Sequence, residues 1–166
     1  IVGSRLAQLV SGSDGKVKDI DIAFHIQDEH HYIKFIIFMN YIILPNLSMY
    51  EVSEAKSKFN EKIRYQILNK KTGIIVDLFV IGECPSIIVH KFHLPFVRMF
   101  FNLSTQELFM LPSCLYTYIT GDITYYSPFG SSAFNEIFLK YYKRGYPLRF
   151  IGKDIEYFNE IIKKNT

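Results

Sequence analysis

The sequence predicts an α/β (α+β) fold with a short mixed β-sheet, flanking helices and a helical C-terminal region. Two runs, 18–24 and 74–80, are rich in β-branched and aromatic residues and alternate in the manner of strands. A turn-rich segment lies inside 62–81 and contains a glycine, as hairpins do. Apolar residues within 132–142 follow a helical spacing, and we expect a last helix over 154–164. The result would be a short sheet with flanking helices and a helical C-terminal region.

Three further helices are expected in the first half. The stretch 6–10 is compatible with a short helix. The apolar run 32–44 predicts a helix that ends before Pro45, because a residue that precedes proline disfavours helical backbone. Charged residues within 53–61 predict a second, polar helix with its charges at the surface.

The start of the second half carries weaker signals. Residues 86–102 have strand character, and Pro95 predicts an edge strand or a bend there. A short strand is expected over 107–111. A helix is expected over 112–119, with Ser113 as its cap.

The most informative residues are three acids in the two strand-like runs. Asp19 and Asp21 would point to one face of the first strand, while Ile20 and Phe24 enter the core. Asp77 lies in the middle of the second strand, so pairing these strands would bring three carboxylates together. Ionised carboxylates repel one another, and a divalent cation relieves that repulsion. Because the ligands are hard oxygens, Asp19, Asp21 and Asp77 predict a Mg²⁺ or Mn²⁺ site in preference to Zn²⁺.

An acid in a strand can also have a simpler role. A carboxylate on an edge strand prevents aggregation between sheets, and Asp-x-Asp is common in loops. Three acids within such apolar runs fit that explanation poorly, because burying an unpaired carboxylate is costly.

The order of the motifs resembles the nucleotidyltransferase superfamily typified by DNA polymerase beta. An apolar pair followed by Gly3-Ser4 precedes Asp19-x-Asp21, and a third acid, Asp77, lies in a later strand. The resemblance implies a minimal nucleotidyltransferase fold with a short mixed β-sheet. It also implies that Gly3 and Ser4 hold the nucleotide phosphates, that Asp19 and Asp21 bind two metal ions, and that Asp77 orients or activates the attacking hydroxyl.

General physical chemistry agrees with these assigned roles. Glycine lets the backbone approach a phosphate closely, and N–H groups at a helix N-terminus attract anions. Arg5 would add a charge-assisted contact to the same phosphates. In the family the Gly-Ser pair follows a helix and the start of a strand, so we expect residues before Ile1 in the full-length protein.

One departure from the family concerns spacing. The interval 5–18 between the Gly-Ser pair and the first acid is slightly longer than usual, and 11–15 accounts for the excess as an enlarged turn. A second pair, Gly12-Ser13, is an alternative phosphate loop, but it leaves too little chain for a helix before the acids. The first pair is therefore preferred.

These expectations define an enzyme that moves a nucleoside monophosphate from a nucleoside triphosphate to a hydroxyl acceptor and releases pyrophosphate. The acceptor would be a nucleic acid, a protein side chain or a small molecule, and the sequence does not choose among them. The alternative is a catalytically silent nucleotidyltransferase-like module that binds a protein or nucleic-acid partner. A metal-dependent nuclease is a third possibility, but it leaves Gly3-Ser4 without a role.

Composition sets broader bounds. With 166 residues, of which 49% are hydrophobic, the chain is expected to form one domain, with a catalytic core over 1–85 and strands and helices of 86–166 packed on it. No uncharged stretch reaches membrane-spanning length, so no membrane partner is expected. Cys84 and Cys114 form no Cys-x-x-Cys motif, which favours a reducing, intracellular and cytoplasmic location.

Part of the second half resembles a block in uncharacterised proteins of large DNA viruses. The similar segments are 92–98, 112–114 and 140–146. This resemblance implies a viral protein that acts in the cytoplasm of an infected host cell, and it implies no substrate.

Overall fold

A computed structural model describes residues 1–12, 19–55, 64–123, 133–144, 146, 149–150 and 154–165. The main sheet has four strands, which are β1 (Asp19–His25), β2 (Tyr50–Ala55), β3 (Arg64–Asn69) and β4 (Ile75–Ile81). Their order in space is β1-β4-β3-β2. The β1 and β4 strands run parallel and the other pairs antiparallel, so the expected mixed sheet is confirmed.

The predicted hairpin is β3 and β4, and its turn is closed by one side chain. The Asn69 side-chain oxygen accepts hydrogen bonds from the backbone N–H groups of Lys71 and Thr72, both at 3.0 Å. Gly73 has φ 69°, a left-handed conformation that glycine adopts without a steric penalty. These local interactions fix the register that places Asp77 in the middle of β4.

One face of the sheet packs against helix α2 (Glu29–Phe38), which continues through a π-helical turn (Met39–Ile43) and a 3₁₀ turn (Leu44–Asn46). Phe35 is fully buried there, and its ring meets the edge of Phe24 at 5.3 Å between centroids. A helix is thus confirmed here, but it begins earlier than expected, and it does not end before Pro45, because the 3₁₀ turn continues through the proline to Asn46. Proline is tolerated there since it lies in the first turn of that short helix. The Asp28 carboxylate accepts a hydrogen bond from the backbone N–H of His31 and caps α2.

The predicted polar helix over 53–61 is wrong where the structure describes it, because 53–55 belong to strand β2. Tyr50 and Val52 of this strand pack against the same core as Phe35. Pairing with β3 and this burial override the local preference of the charged residues for a helix. Residues 56–61 lie outside the described part of the chain.

The second half of the chain adds four helices and two small two-stranded sheets among the described residues. In chain order the elements are α3 (Pro85–His90), a 3₁₀ turn (Pro95–Val97), β5 (Met99–Asn102), β6 (Glu107–Met110), α4 (Pro112–Thr120), β7 (Asp122–Ile123), α5 (Ala133–Lys143), β8 (Arg149–Phe150) and α6 (Asp154–Asn165). The predicted strand near 107–111 and the helices near 112–119, 132–142 and 154–164 are confirmed.

Two expectations for this half are wrong in detail. Residues 86–90 are helical, since Pro85 occupies the first turn of α3, where its fixed φ and missing N–H are tolerated. Only 99–102 of the expected strand over 86–102 form a strand. Ser113 does not cap α4, because the cap position belongs to Leu111, and the Ser113 carbonyl accepts the Thr117 hydroxyl instead.

Helix α1 (Gly3–Ser11) belongs to the core built by the second half. Leu6 and Ala7 are buried in one cluster with Phe96, Phe138 and Phe158. None of the helices among the described residues is both long and apolar enough to cross a bilayer.

Candidate active site

The start of helix α1 is held beside the middle of strand β1. The Val2 backbone N–H donates a hydrogen bond of 3.0 Å to the Asp21 carbonyl, and Val2 also bridges Phe100 of β5. Gly3 follows with φ 78°. A Cβ atom at this position would collide with the Asp21 carboxylate, so the backbone passes closer to Asp21 than any other residue type would allow.

The acids of the two parallel strands are neighbours across the sheet. Asp21 and Asp77 occupy paired positions of β1 and β4, and Asp19 lies two residues before Asp21. Paired positions share a face of the sheet, so the strands place all three acids on the side that carries α1. Farther along this face, Phe79 packs against Val2 in an apolar cluster. Asp77 is 7% exposed, and Asp19 and Asp21 are half-buried.

Gln66 is a site residue that the sequence patterns did not identify. It pairs with Asp77 across β3 and β4, and its side-chain amide donates a 2.9 Å hydrogen bond to Oδ1 of Asp77. Asp21, Asp77 and Gln66 therefore form one rung across three adjacent strands. The hydrogen bond fixes the orientation of the Asp77 carboxylate. The sequence could have indicated the contact between Gln66 and Asp77 only if the residues of the hairpin had been paired outward from its turn at Gly73.

An aromatic cluster from the second half packs near the acids. Tyr141 of α5 is buried with its ring edge-on to Phe96 at 4.9 Å, and Tyr146 stacks on Phe96 at 5.1 Å. Burial raises the pKa of Tyr141, the Arg144 guanidinium lowers it, and the charges of Tyr146, Asp21 and Asp19 raise it. Tyr141 therefore lies in the electrostatic environment of the two acids.

The cluster also reaches the Gly-Ser turn. The Tyr146 hydroxyl donates a hydrogen bond of 3.5 Å to the Ser4 carbonyl, and Ser4 is buried. The Arg144 guanidinium lies 5.8 Å from the centre of the Tyr141 ring and is exposed. Arg5, in the first turn of α1, is half-buried. Cationic groups and the first N–H groups of a helix are therefore located where phosphates would be attracted.

The carboxylates of this site suit a hard divalent cation, but the structure limits how many of them can bind one ion. Asp21 and Asp77 supply carboxylate oxygens from adjacent strands, and Asp19 adds a third on the same face. Among the described residues, no three Asp, Glu, His or Cys side chains lie close enough to hold a metal ion together. Mg²⁺ commonly uses one or two carboxylates and takes its other ligands from substrate phosphates and water. The chemistry of these residues suits that mode of binding.

The aromatic cluster predicts a loss of stability at alkaline pH. Tyr118 belongs to this cluster, because its hydroxyl donates a hydrogen bond of 3.2 Å to the Phe96 carbonyl. Burial raises the pKa of Tyr118, Tyr141 and Tyr146 above the ordinary value of 10.0. The folded state therefore holds these protons more tightly than the unfolded state, so their contribution to stability is complete below pH 10 and is lost at higher pH. Thermal unfolding followed between about pH 8 and pH 12 is expected to show a midpoint that falls above about pH 10.

The variant Tyr141→Phe provides the control for this prediction. It retains the ring against Phe96 but removes one ionisable hydroxyl, so its midpoint should fall less steeply with pH. An identical slope in the variant and the wild type would contradict the assignment to this cluster.

Comparison with known proteins gives a match in structure only. No protein-family model matches the chain, and no curated protein sequence matches it. Among solved structures, the chain is similar to the CCA-adding enzyme of Thermotoga maritima in its complex with tRNA, with a TM-score of 0.62 and 12% sequence identity. The likeness covers 98% of this chain and 37% of that enzyme's chain. The protein therefore has a nucleotidyltransferase-like fold.

Proposed function

We propose that the protein is a metal-dependent nucleotidyltransferase. It would move a nucleoside monophosphate from a nucleoside triphosphate to a hydroxyl acceptor and release pyrophosphate. The observation that carries the proposal is the close approach of Gly3 to the Asp21 carboxylate, on the same rung of the sheet as Asp77. A helix N-terminus that attracts phosphate thus lies directly beside paired acids that attract a cation, and a metal-bound triphosphate satisfies both.

Each residue has a distinct role in this proposal. The backbone N–H groups at Gly3 and Ser4 would bind the triphosphate, and Arg5 would neutralise part of its charge. Asp19 and Asp21 would hold Mg²⁺ or Mn²⁺, and Asp77 would orient the attacking hydroxyl and accept its proton. When bound, the cations supply charge neutralisation for the transferring phosphoryl group and its leaving pyrophosphate. Gln66 would hold the Asp77 carboxylate in position.

The identity of the acceptor is a separate question. The structural neighbour is a CCA-adding enzyme solved with tRNA, and a nucleic-acid acceptor is the corresponding proposal for this chain. A protein side chain and a small molecule are equally compatible with the described residues. The chain spans little more than a third of that enzyme's length, so its manner of holding an acceptor is not transferred.

Calorimetric titration tests the proposal. Each of the four nucleoside triphosphates, with Mg²⁺ or Mn²⁺, is titrated into the wild type and into an Asp19→Ala, Asp21→Ala double variant. We expect metal-dependent binding by the wild type and its loss in the double variant, with pyrophosphate release once an acceptor is supplied. A folded wild type that binds no triphosphate would refute the enzyme assignment.

Gln66→Leu is predicted to impair catalysis more than nucleotide binding. The substitution removes a hydrogen bond to a charged acceptor, an interaction worth about 1.5–3 kcal/mol, and with it one of the contacts that orient the Asp77 carboxylate. We expect kcat to fall about tenfold or more while KM for the triphosphate changes little. Ser53→Ala is the control, since Ser53 pairs with Gln66 on the next strand and its side chain is exposed. Equal kcat values for the Leu variant and the wild type would contradict the role of Gln66.

One observation favours a second candidate function, the catalytically silent module. Within the described ranges the acids do not form a three-ligand metal group. A silent module would bind a protein or nucleic-acid partner through the same fold. The calorimetric titration separates the two candidates, because we expect metal-dependent binding of a triphosphate by the enzyme and none by a silent module.

We also propose that 1–85 and 86–166 form one domain. A separate proposal is that the protein acts in a reducing, cytoplasmic environment, in keeping with a viral origin. Leu6 and Ala7 of the first segment share a buried cluster with Phe96 and Phe138 of the second, which supports a single folding unit. Cys84 and Cys114 are both free thiols, which supports a reducing environment.

A further inference from the structure

The outer side of helix α2 and the turns that follow it is apolar and exposed. Nine of the exposed large hydrophobic residues lie between positions 32 and 49. We define the α2 face by six of them, Ile33, Ile36, Ile37, Tyr41, Ile42 and Leu44. The opposite side of the same segment is also apolar, because Phe35, Met39 and Ile43 are buried against the sheet.

A helix that is apolar all round is normally covered on every side. Within 35–49 there is no Asp, Glu, Lys, Arg or His, so the C-terminal part of this segment has no charged side that could face water. Isolated apolar residues at a surface need no explanation, but a contiguous patch of this extent marks an interaction site. The α2 face therefore calls for a partner surface.

We propose that the occupant is a second copy of this chain, related by a twofold axis. The six residues of the α2 face are between 36% and 74% exposed, and large side chains carry roughly 150–250 Å² each, so the face offers on the order of 600 Å². This is at the lower end of the roughly 600–1,000 Å² that each partner contributes to a stable interface. The α2 face alone thus reaches the area of a small stable dimer interface.

Charge also favours a copy of the chain over a different partner. In a twofold interface the same patch of both copies meets, so a patch of one charge repels its copy while an uncharged apolar patch is self-complementary. The α2 face carries no charge within 35–49, and Lys34 lies at its border. The acids at the candidate site lie on the other side of the sheet, because the side chains of β1 alternate, so dimerisation leaves that site open.

Sedimentation equilibrium of the full chain between about 1 and 100 µM tests the proposal. We expect a dimer for the wild type and a dissociation constant raised about 100-fold or more in an Ile37→Glu, Tyr41→Glu double variant. Both side chains are exposed, so the changes should leave the thermal unfolding of the monomer intact. The matched control is Ile119→Glu, which places a charge on an equally exposed apolar residue of α4 and should remain dimeric.

Two results would overturn the proposal. The first is a monomeric wild type at the highest concentration. Phosphatidylcholine vesicles, added in a flotation assay, would then show whether the face binds lipid instead. The second is a dimer that the double variant does not weaken, which would assign dimerisation to another surface.

Discussion

Asp21→Asn is expected to abolish metal-dependent binding of nucleoside triphosphates and to reduce nucleotidyl transfer by on the order of 10²–10³-fold or more. Asparagine has the shape of aspartate but lacks its charge, so the fold is retained and the attraction for a cation is lost. The Gly3 backbone lies against the Asp21 carboxylate, and Asp77 is paired with Asp21 on the neighbouring strand. Calorimetry measures the binding, and pyrophosphate release measures the transfer.

The control for this prediction is Glu51→Gln on strand β2. Leu68 pairs with Glu51 on one side of β3 and with Ile75 of β4, and Ile75 pairs with Asp19, so Glu51 lies on the same face of the sheet as the acids. It is three strands away from Asp19, or about 14 Å. Loss of a charge there should leave triphosphate binding unchanged. If both variants lose binding equally, the effect comes from the overall charge of the protein and the assigned site is wrong.

Gly3→Ala is expected to have the second largest effect. Alanine in a left-handed conformation costs about 1–2 kcal/mol, and its Cβ would in addition collide with the Asp21 carboxylate. The carboxylate must move away, so we expect loss of metal-dependent triphosphate binding together with a lower free energy of unfolding. Chemical denaturation and calorimetry measure the two effects.

Gly121→Ala separates these two causes. Gly121 has φ 74°, close to that of Gly3, but a Cβ atom there would meet no other atom within 4 Å. This variant should lose about 1–2 kcal/mol of stability and bind triphosphate as the wild type does. Equal stability and equal binding in the two alanine variants would show that the close approach of Gly3 to Asp21 has no functional consequence.

The strands that carry the acids could be predicted because their signals are local. Side-chain alternation in β1 and β4 identified the faces, and the turn before Gly73 identified the hairpin. The sequence predicted that the two strands pair, but their parallel direction and the register that sets Asp21 beside Asp77 come from the structure, since no local pattern determines the direction or register in which distant strands pair. The family resemblance predicted that the three acids lie near Gly3. The structure adds the close approach of Gly3 to the Asp21 carboxylate, on which the proposed roles rest.

The remaining features depend on contacts that are distant in sequence. Strand β2 looks helical because its charged residues favour helices, and only its pairing with β3 and the burial of Val52 decide otherwise. Tyr141 and Tyr146 reach the site from more than a hundred residues away. The spacing of Tyr141 indicates only a core helix, and Tyr146 lies beyond the predicted helix. Gln66 has no sequence signature, because a glutamine in a strand is informative only when its cross-strand neighbour is known.

Val2 contacts both β1 of the main sheet and β5 of the second half, immediately before the residues that would receive the phosphates. The proposed phosphate loop therefore directly follows a residue that connects the two parts of the chain. A ligand at Gly3 would bind only the folded chain, in which Val2 makes both contacts, so its binding free energy would add to the stability of the whole molecule.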